Sequence, residues 1–186
     1  MIVLGLDLAT VTGWAVFSCR REQEPRLIRA GLIDCSIRPG KDPVGRRFQL
    51  LWDGLGNMCE ALPAIPNVVY YERAVGGPAA GGPAAAIALG MSALVEQWAY
   101  TSGMDAHPVA AGTVKKHATG NGQLTKTTKL EMVSAAVHRF GTRHLPKREP
   151  TPKKPWAYDD NVADAMWIAH FGACRETGYA WTPDSR

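Results

Sequence analysis

The stretch Ile2-Val-Leu-Gly-Leu-Asp-Leu-Ala-Thr-Val-Thr-Gly-Trp-Ala-Val-Phe17 decides how the rest of the chain is read. Residues 2–6 are a near-continuous apolar run with β-branched members, short enough for a strand buried on both faces. Asp7 ends the run, Ala9-Thr-Val-Thr-Gly13 reads as a tight turn, and Trp14-Ala-Val-Phe17 reads as the returning strand. A carboxylate closing a central strand is costly to bury without a cation or metal beside it. The plain alternative is that Asp7 opens the turn through its own side-chain oxygen. The choice depends on whether other acids reach it.

Working outward, Leu27-Ile-Arg-Ala-Gly-Leu-Ile33 is a third strand, completing an antiparallel meander. Asp42-Pro43 reads as an N-cap followed by proline at the first helical position. Phe48, Leu51, Trp52, Leu55, Met58, Cys59 and Leu62 follow at helical spacing, and Pro63 and Pro66 stop that helix. Asn67-Val-Val-Tyr-Tyr-Glu72 is the next strand, and it too finishes on an acid. Coming after a helix, it should lie parallel to the first strand through a right-handed crossover. Glu72 and Asp7 would then leave neighbouring strands at the end where α/β sheets hold ligands. An ordinary surface pair between Glu72 and Arg73 is the competing reading.

Ala74 to Pro83 is a Gly/Pro loop, either a flap beside the site or a plain linker. Ile87, Met91, Leu94, Val95 and Trp98 mark a second amphipathic helix, and Met104 to Ala110 is a weak final strand broken by Pro108. Val114 to Ala118 suits one helical turn, and Thr119-Gly-Asn-Gly122 is a turn. Thr125 then caps a helix with the stripe Leu130, Val133, Ala136, Val137 and Phe140, closed by Gly141. Lys115, Lys116, Lys126 and Lys129 flank the glycine-rich turn beside a helix N-terminus, an arrangement that suits phosphate; a solvated face is the alternative for any one of them. Residues 142–156 form an extended basic loop bearing Arg143, Lys147, Arg148, Lys153 and Lys154, which either tracks a nucleic-acid backbone, with Trp156 and Tyr158 to stack on bases, or is a solvated connector.

The closing helix, Asp159 to His170, carries Asp160 and Asp164 at i,i+4 and Asn161 and Asp164 at i,i+3, so these side chains share a face. Val162, Ala165, Met166 and Ala169 make the face that packs on the sheet. First-turn acids are explained by the helix dipole, but Asp164 lies a turn deeper and is not. The tail 172–186 shows no pattern.

The 186 residues suit one domain with a real core and no disulfides. A formal charge of +4 with a pI near 9.0 is compatible with a polyanionic partner without diagnosing one. The four cysteines show no CxxC pair and no histidine spacing that suits zinc, which points to reduced thiols in a cytoplasmic protein. Among the five histidines, only His117, near the lysines, stands out. Neither a cleavable signal after Met1 nor a bilayer-length apolar run is expected.

In this order, Gly5-Leu-Asp-Leu-Ala-Thr-Val-Thr-Gly-Trp14, Tyr71-Glu72, Val114 to Lys126 and Asp160-Asn-Val-Ala-Asp-Ala165 resemble the RuvC family of Holliday junction resolvases in the RNase H-like superfamily. The resemblance implies an α/β, RNase H-like fold, a five-stranded mixed sheet flanked by helices on both faces. It also implies a homodimeric nuclease that cuts branched DNA at four-way junctions using two Mg²⁺ ions, with Mn²⁺ as substitute. Residue by residue, Asp7, Glu72 and Asp164 match the family's metal-binding carboxylates, and Lys115 and Lys126 its basic residues near the scissile phosphate. Two departures stand out: Leu8-Ala9 replaces the family's usual Pro-Gly, and Asn161 occupies the position of the fourth metal ligand. Asp160 is expected to serve in its stead, since i,i+4 spacing keeps it on the Asp164 face. The rivals are another nuclease of the same fold (flap, fork or RNA–DNA hybrid) and an inactive junction-binding protein. A sugar-kinase-like phosphotransferase would need a second domain that the length does not supply.

Overall fold

Strand β1 (Ile2–Asp7) is the centre of a mixed sheet with the order β3-β2-β1-β4-β5. The computed structural model describes residues 1–74, 82–122, 126–152 and 154–183, with the backbone alone at 126–128. Most of the Gly/Pro loop, the Thr125 cap, the Lys126 side chain and Lys153 lie outside the described residues. β2 (Val11–Ser18) and β3 (Arg26–Asp34) run antiparallel to their neighbours, whereas β4 (Val68–Glu72) and β5 (Asp105–Val109) are parallel to β1. Pro108 is tolerated because β5 lies at the sheet edge. Helices α1 (Gly45–Glu60) and α2 (Pro83–Thr101) cover one face; α3 (Ala111–Thr119), α4 (Lys126–Phe140) and α5 (Asp160–Thr177) cover the other. Among the described residues no helix is long and apolar enough to cross a membrane.

The alternation of side chains along each strand sorts the core in two. Leu4, Leu6, Val69 and Tyr71 pack with α1 and α2, while Val3, Val68 and Tyr70 pack with α5. Asp7 follows Val3 and Gly5 by twos, and Glu72 follows Val68 and Tyr70. Both acids therefore fall on the α5 side, and the pairing of Leu6 with Tyr71 sets them side by side.

α5 rests on bare main chain. A Cβ on Gly5 would sit 2.4 Å from the Ala169 nitrogen and 2.6 Å from the Ala165 oxygen, and one on Gly13 only 2.0 Å from the Asn161 carbonyl oxygen. No side chain fits between helix and sheet at either place, so the helix backbone is seated directly over β1 and β2.

Several details differ from the sequence reading. α1 starts at Gly45 with Val44 as N-cap and no side-chain cap. Asp42 instead accepts from the Arg38 backbone N–H at 2.8 Å and from its guanidinium at 3.2 Å, closing the preceding turn. Trp52 and Leu130 are exposed rather than in their helices' buried stripes. α3 spans nine residues rather than one turn and ends on Gly120, whose left-handed φ of 77° supplies the predicted turn. α5 runs on into the expected tail as far as Thr177, and at Gly172 the Tyr70 ring lies directly against the helix.

Candidate active site

The turn after β1 is closed by Thr12, not by Asp7. Thr12 Oγ1 donates to the Ala9 carbonyl at 2.9 Å and accepts from the Ala9 N–H at 3.4 Å. The Asp7 carboxylate is thereby left to face α5, where burial pushes its pKa well above the ordinary value and the charges of Asp164 and Glu72 push it further. Glu72 makes no ion pair with Arg73 among the described residues. Burial raises its pKa, against the opposing fields of Lys115 and Lys129. Asp164, with a side chain 14% exposed, is pushed up to about 7 by burial, with Lys129 opposing and Glu72 and Asp160 adding to the rise. Three acids distant in sequence thus share one electrostatic environment at the carboxyl end of the parallel strands.

Two lysines border this group. Lys115, in the second turn of α3, acts on both Glu72 and Asp164. Lys129 Nζ lies 3.7 Å from Asp164 and 2.9 Å from Asp160. Sequence reasoning assigned Lys129 to DNA alone. Its link to two acids on another helix carries no local signal, since it depends on how α4 crosses α5.

Asp160, one turn before Asp164, is built differently. It is 1% exposed and its oxygens are held by Lys154 Nζ at 2.8 Å, Arg148 Nη1 at 2.9 Å and Lys129 Nζ at 2.9 Å. Burial alone would raise its pKa, but Lys154 and Lys129 hold it down at about 2. Asp159 caps the helix by accepting from the Asn161 and Val162 N–H groups at 3.0 and 3.2 Å. Asn161 donates through Nδ2 to the Val11 carbonyl at 2.6 Å, tying α5 to the start of β2. Neither residue offered as the fourth ligand is therefore without an occupation of its own.

The basic loop divides in two. Arg148 and Lys154 turn inward onto Asp160, while Arg143 and Lys147 are exposed, as is Lys116 on α3. Backbone bonds from Arg148 N–H to Ala157 O and from Asp159 N–H to Pro146 O, both 2.9 Å, pin the loop's base. Trp156 is not a stacking platform: it is only 8% exposed and packs in the core under the loop, with Tyr158 half-buried beside it.

The donor set suits a hard divalent cation: carboxylate oxygens only, crowded and buried enough that Asp164 is pushed up to about 7 and Asp7 and Glu72 are raised with it.

Neither protein-family models nor curated protein sequences match the chain. Solved structures do. The Thermus thermophilus RuvC structure superposes with a TM-score of 0.63 at 20% identity, covering 96% of this chain and 97% of that one. T. thermophilus RuvC in complex with Holliday junction substrate gives 0.67 at 19% identity over 96% of each chain. The yeast mitochondrial Holliday junction resolvase Ydc2 gives 0.53 at 11% identity over 95% of this chain and 80% of that one. The fold is the RNase H-like α/β fold expected from the sequence.

Proposed function

We propose that the chain is a structure-selective DNA endonuclease that resolves four-way junctions by metal-dependent phosphodiester hydrolysis. The observation that carries this reading is the meeting of Asp7, Glu72 and Asp164, from β1, β4 and α5, at one sheet end flanked by Lys115 and Lys129. The four-way junction as substrate is supported by the fold shared with structures described as RuvC and Ydc2, one of them bound to a junction.

In this proposal Asp7, Glu72 and Asp164 hold two Mg²⁺ ions, which Mn²⁺ would replace. Such ions, when bound, supply an activated water and stabilise charge on the leaving oxygen. Lys115 and Lys129, with Lys126 at the head of α4, set positive charge beside the phosphate under attack. Asp160 organises rather than ligates, keeping Lys129 aimed between itself and Asp164 and holding the basic loop through Arg148 and Lys154. Lys116, Arg143, Lys147 and Lys153 complete the DNA-facing charge. Two such sites in a homodimer would cut opposed strands, and Leu89 and Tyr100, exposed on α2, mark a face for a second copy.

The test is cleavage of a synthetic four-way junction in Mg²⁺, wild type against Asp7→Asn, beside flap, fork and RNA–DNA hybrid substrates. Junction-specific cutting lost in the variant supports the reading. Equal cutting by both proteins removes Asp7 from it, and preference for another substrate moves the activity elsewhere on the same fold. One observation favours an inactive junction-binding protein instead: Asp160 and Asn161 are both engaged, leaving three carboxylates. Junction binding in EDTA with no cutting in Mg²⁺ or Mn²⁺ would establish it.

A further inference from the structure

On the α5 side of the sheet, outside the acidic group, His117 of α3 and His170 and Cys174 of α5 bring three ligating atoms together, all within 4.8 Å of one another. His117 Nε2 lies 2.9 Å from His170 Nδ1, and Cys174 Sγ lies 3.8 Å from that same nitrogen. One helical turn separates His170 from Cys174, so they share a face. The sequence reading missed the pairing because it ended the helix at His170, before the cysteine. His170 is fully buried, and the rings of Phe17, Phe140, Trp167 and Trp181 surround it. The Trp181 indole N–H donates to the His117 carbonyl at 2.8 Å, drawing the C-terminal segment across α3. Burial holds both imidazoles neutral, His117 at about 4 and His170 at about 3, so their lone pairs are available at neutral pH.

We propose that His117, His170 and Cys174 form a binding site for a zinc-class divalent ion that ties α3 to α5. Two imidazole nitrogens and a thiolate are a borderline-soft set that selects zinc over the hard Mg²⁺, with water in the fourth tetrahedral position. Zinc–ligand distances of about 2.0–2.1 Å to nitrogen and 2.3 Å to sulfur would separate tetrahedral ligand atoms by roughly 3.3–3.6 Å, so the nitrogens at 2.9 Å must part slightly and the Cys174 sulfur, 3.8 Å from His170, must close on both rings. The two nitrogens now share one hydrogen. On binding, that hydrogen moves to the other nitrogen of its own ring and the Cys174 thiol releases its proton to solvent, so one proton leaves per ion bound. The thiolate contributes negative charge, and the nearby Arg139 guanidinium is paired with Glu24. Lys115 precedes His117 by two residues, so the clamp fixes the lysine-bearing helix against the helix that carries Asp164. The site does not depend on the nuclease reading.

The test is titration of the full metal-free chain with Co²⁺ and then Zn²⁺. The expected result is one equivalent of Co²⁺ giving a thiolate-to-cobalt charge-transfer band that Zn²⁺ abolishes and excess Mg²⁺ leaves untouched. Calorimetry in buffers of different ionisation heat should report one proton released. Zn²⁺ at a hundredfold excess over its dissociation constant should raise Tm by about 5–10 °C. Cys174→Ala should lose the band and Asp7→Asn keep it. Should Cys174→Ala fold poorly, protection of Cys174 from alkylation by Zn²⁺ in the wild type, read by mass spectrometry, makes the same assignment. Absence of the band, its survival in Cys174→Ala, its loss in Asp7→Asn, or unchanged alkylation of Cys174 would each overturn the proposal.

Discussion

Asp160 and Asp164 are the same residue type on the same face of one helix, a single turn apart, yet their surroundings have opposite effects. Asp160 is held by three cations, Arg148 and Lys154 together with the Lys129 it shares with Asp164, and its pKa is held at about 2. Asp164 lies against Glu72 and Asp7, with Lys129 as its partial counter-charge at 3.7 Å, and its pKa rises to about 7. Burial penalises both carboxylates, so the local ratio of cations to acids decides the outcome. A region with enough cations is finished structure, whereas a region short of them has a place for an added positive charge.

The largest expected effect breaks the second region at its centre. Asp7→Asn should lower junction cleavage by about a thousandfold or more, roughly 4 kcal/mol in the barrier. Thermal unfolding of the metal-free protein should not suffer, because the substitution removes a repelling buried charge. Burst-free single-turnover cleavage and a melting curve on the same preparation check both halves.

Next comes a contrast in sign. Asp160→Asn strands three cations around a neutral amide and should cost about 2–4 kcal/mol, or Tm lower by several degrees, the cost being moderated by the partial exposure of the lysines. Asp164→Asn in metal-free protein should leave Tm unchanged or raised. Denaturation of the two variants side by side is the measurement, and a loss of similar size in both would dissolve the distinction.

The pH dependence sharpens it further. Between about pH 4 and 7 the folded protein retains the Asp164 proton that the unfolded chain releases. Metal-free stability should therefore fall as pH rises through that window, by on the order of 4 kcal/mol. Mg²⁺ or Asp164→Asn should flatten the slope. Asp160 behaves oppositely: its stabilisation is complete above about pH 4 and disappears as pH falls through about 2. Melting curves from pH 2 to 8, with and without Mg²⁺, separate the two windows.

The smallest effect concerns the exposed arm of the loop. Arg143→Ala and Lys147→Ala should leave stability unchanged and weaken junction binding only a few-fold, each lowering the slope of log K against log salt by about one unit. A salt titration of binding detects this, and a collapse of binding would mean that these side chains do more than meet phosphate.

Much of the second region was legible in the amino-acid order. A buried strand announces itself as an apolar run, and an acid that closes one is conspicuous, which is why Asp7 and Glu72 were visible. Asp164 stood out because helix-end electrostatics did not account for it. The enclosure of Asp160 was hidden, since it needs Lys129 from another helix and Arg148 and Lys154 from a loop that folds back, and no local spacing encodes that return. Trp156 misled for a related reason: among basic residues it read as a platform for bases, whereas the loop's pinned base turns the ring into the core. The last turns of α5 were missed in the other direction: residues from 172 onward show no pattern in the sequence, yet the helix continues to Thr177 and Gly172 is where Tyr70 packs.

The contact of α5 with Gly5 and Gly13 has one last consequence. A helix that touches strand main chain directly has no cushion of side chains that could swell, shrink or repack as a lineage drifts. The gap between a carboxylate leaving the strand and one leaving the helix is then inherited from peptide dimensions, which mutation cannot alter. Such a gauge can persist while four residues in five change around it, provided two hydrogens are never exchanged for methyls.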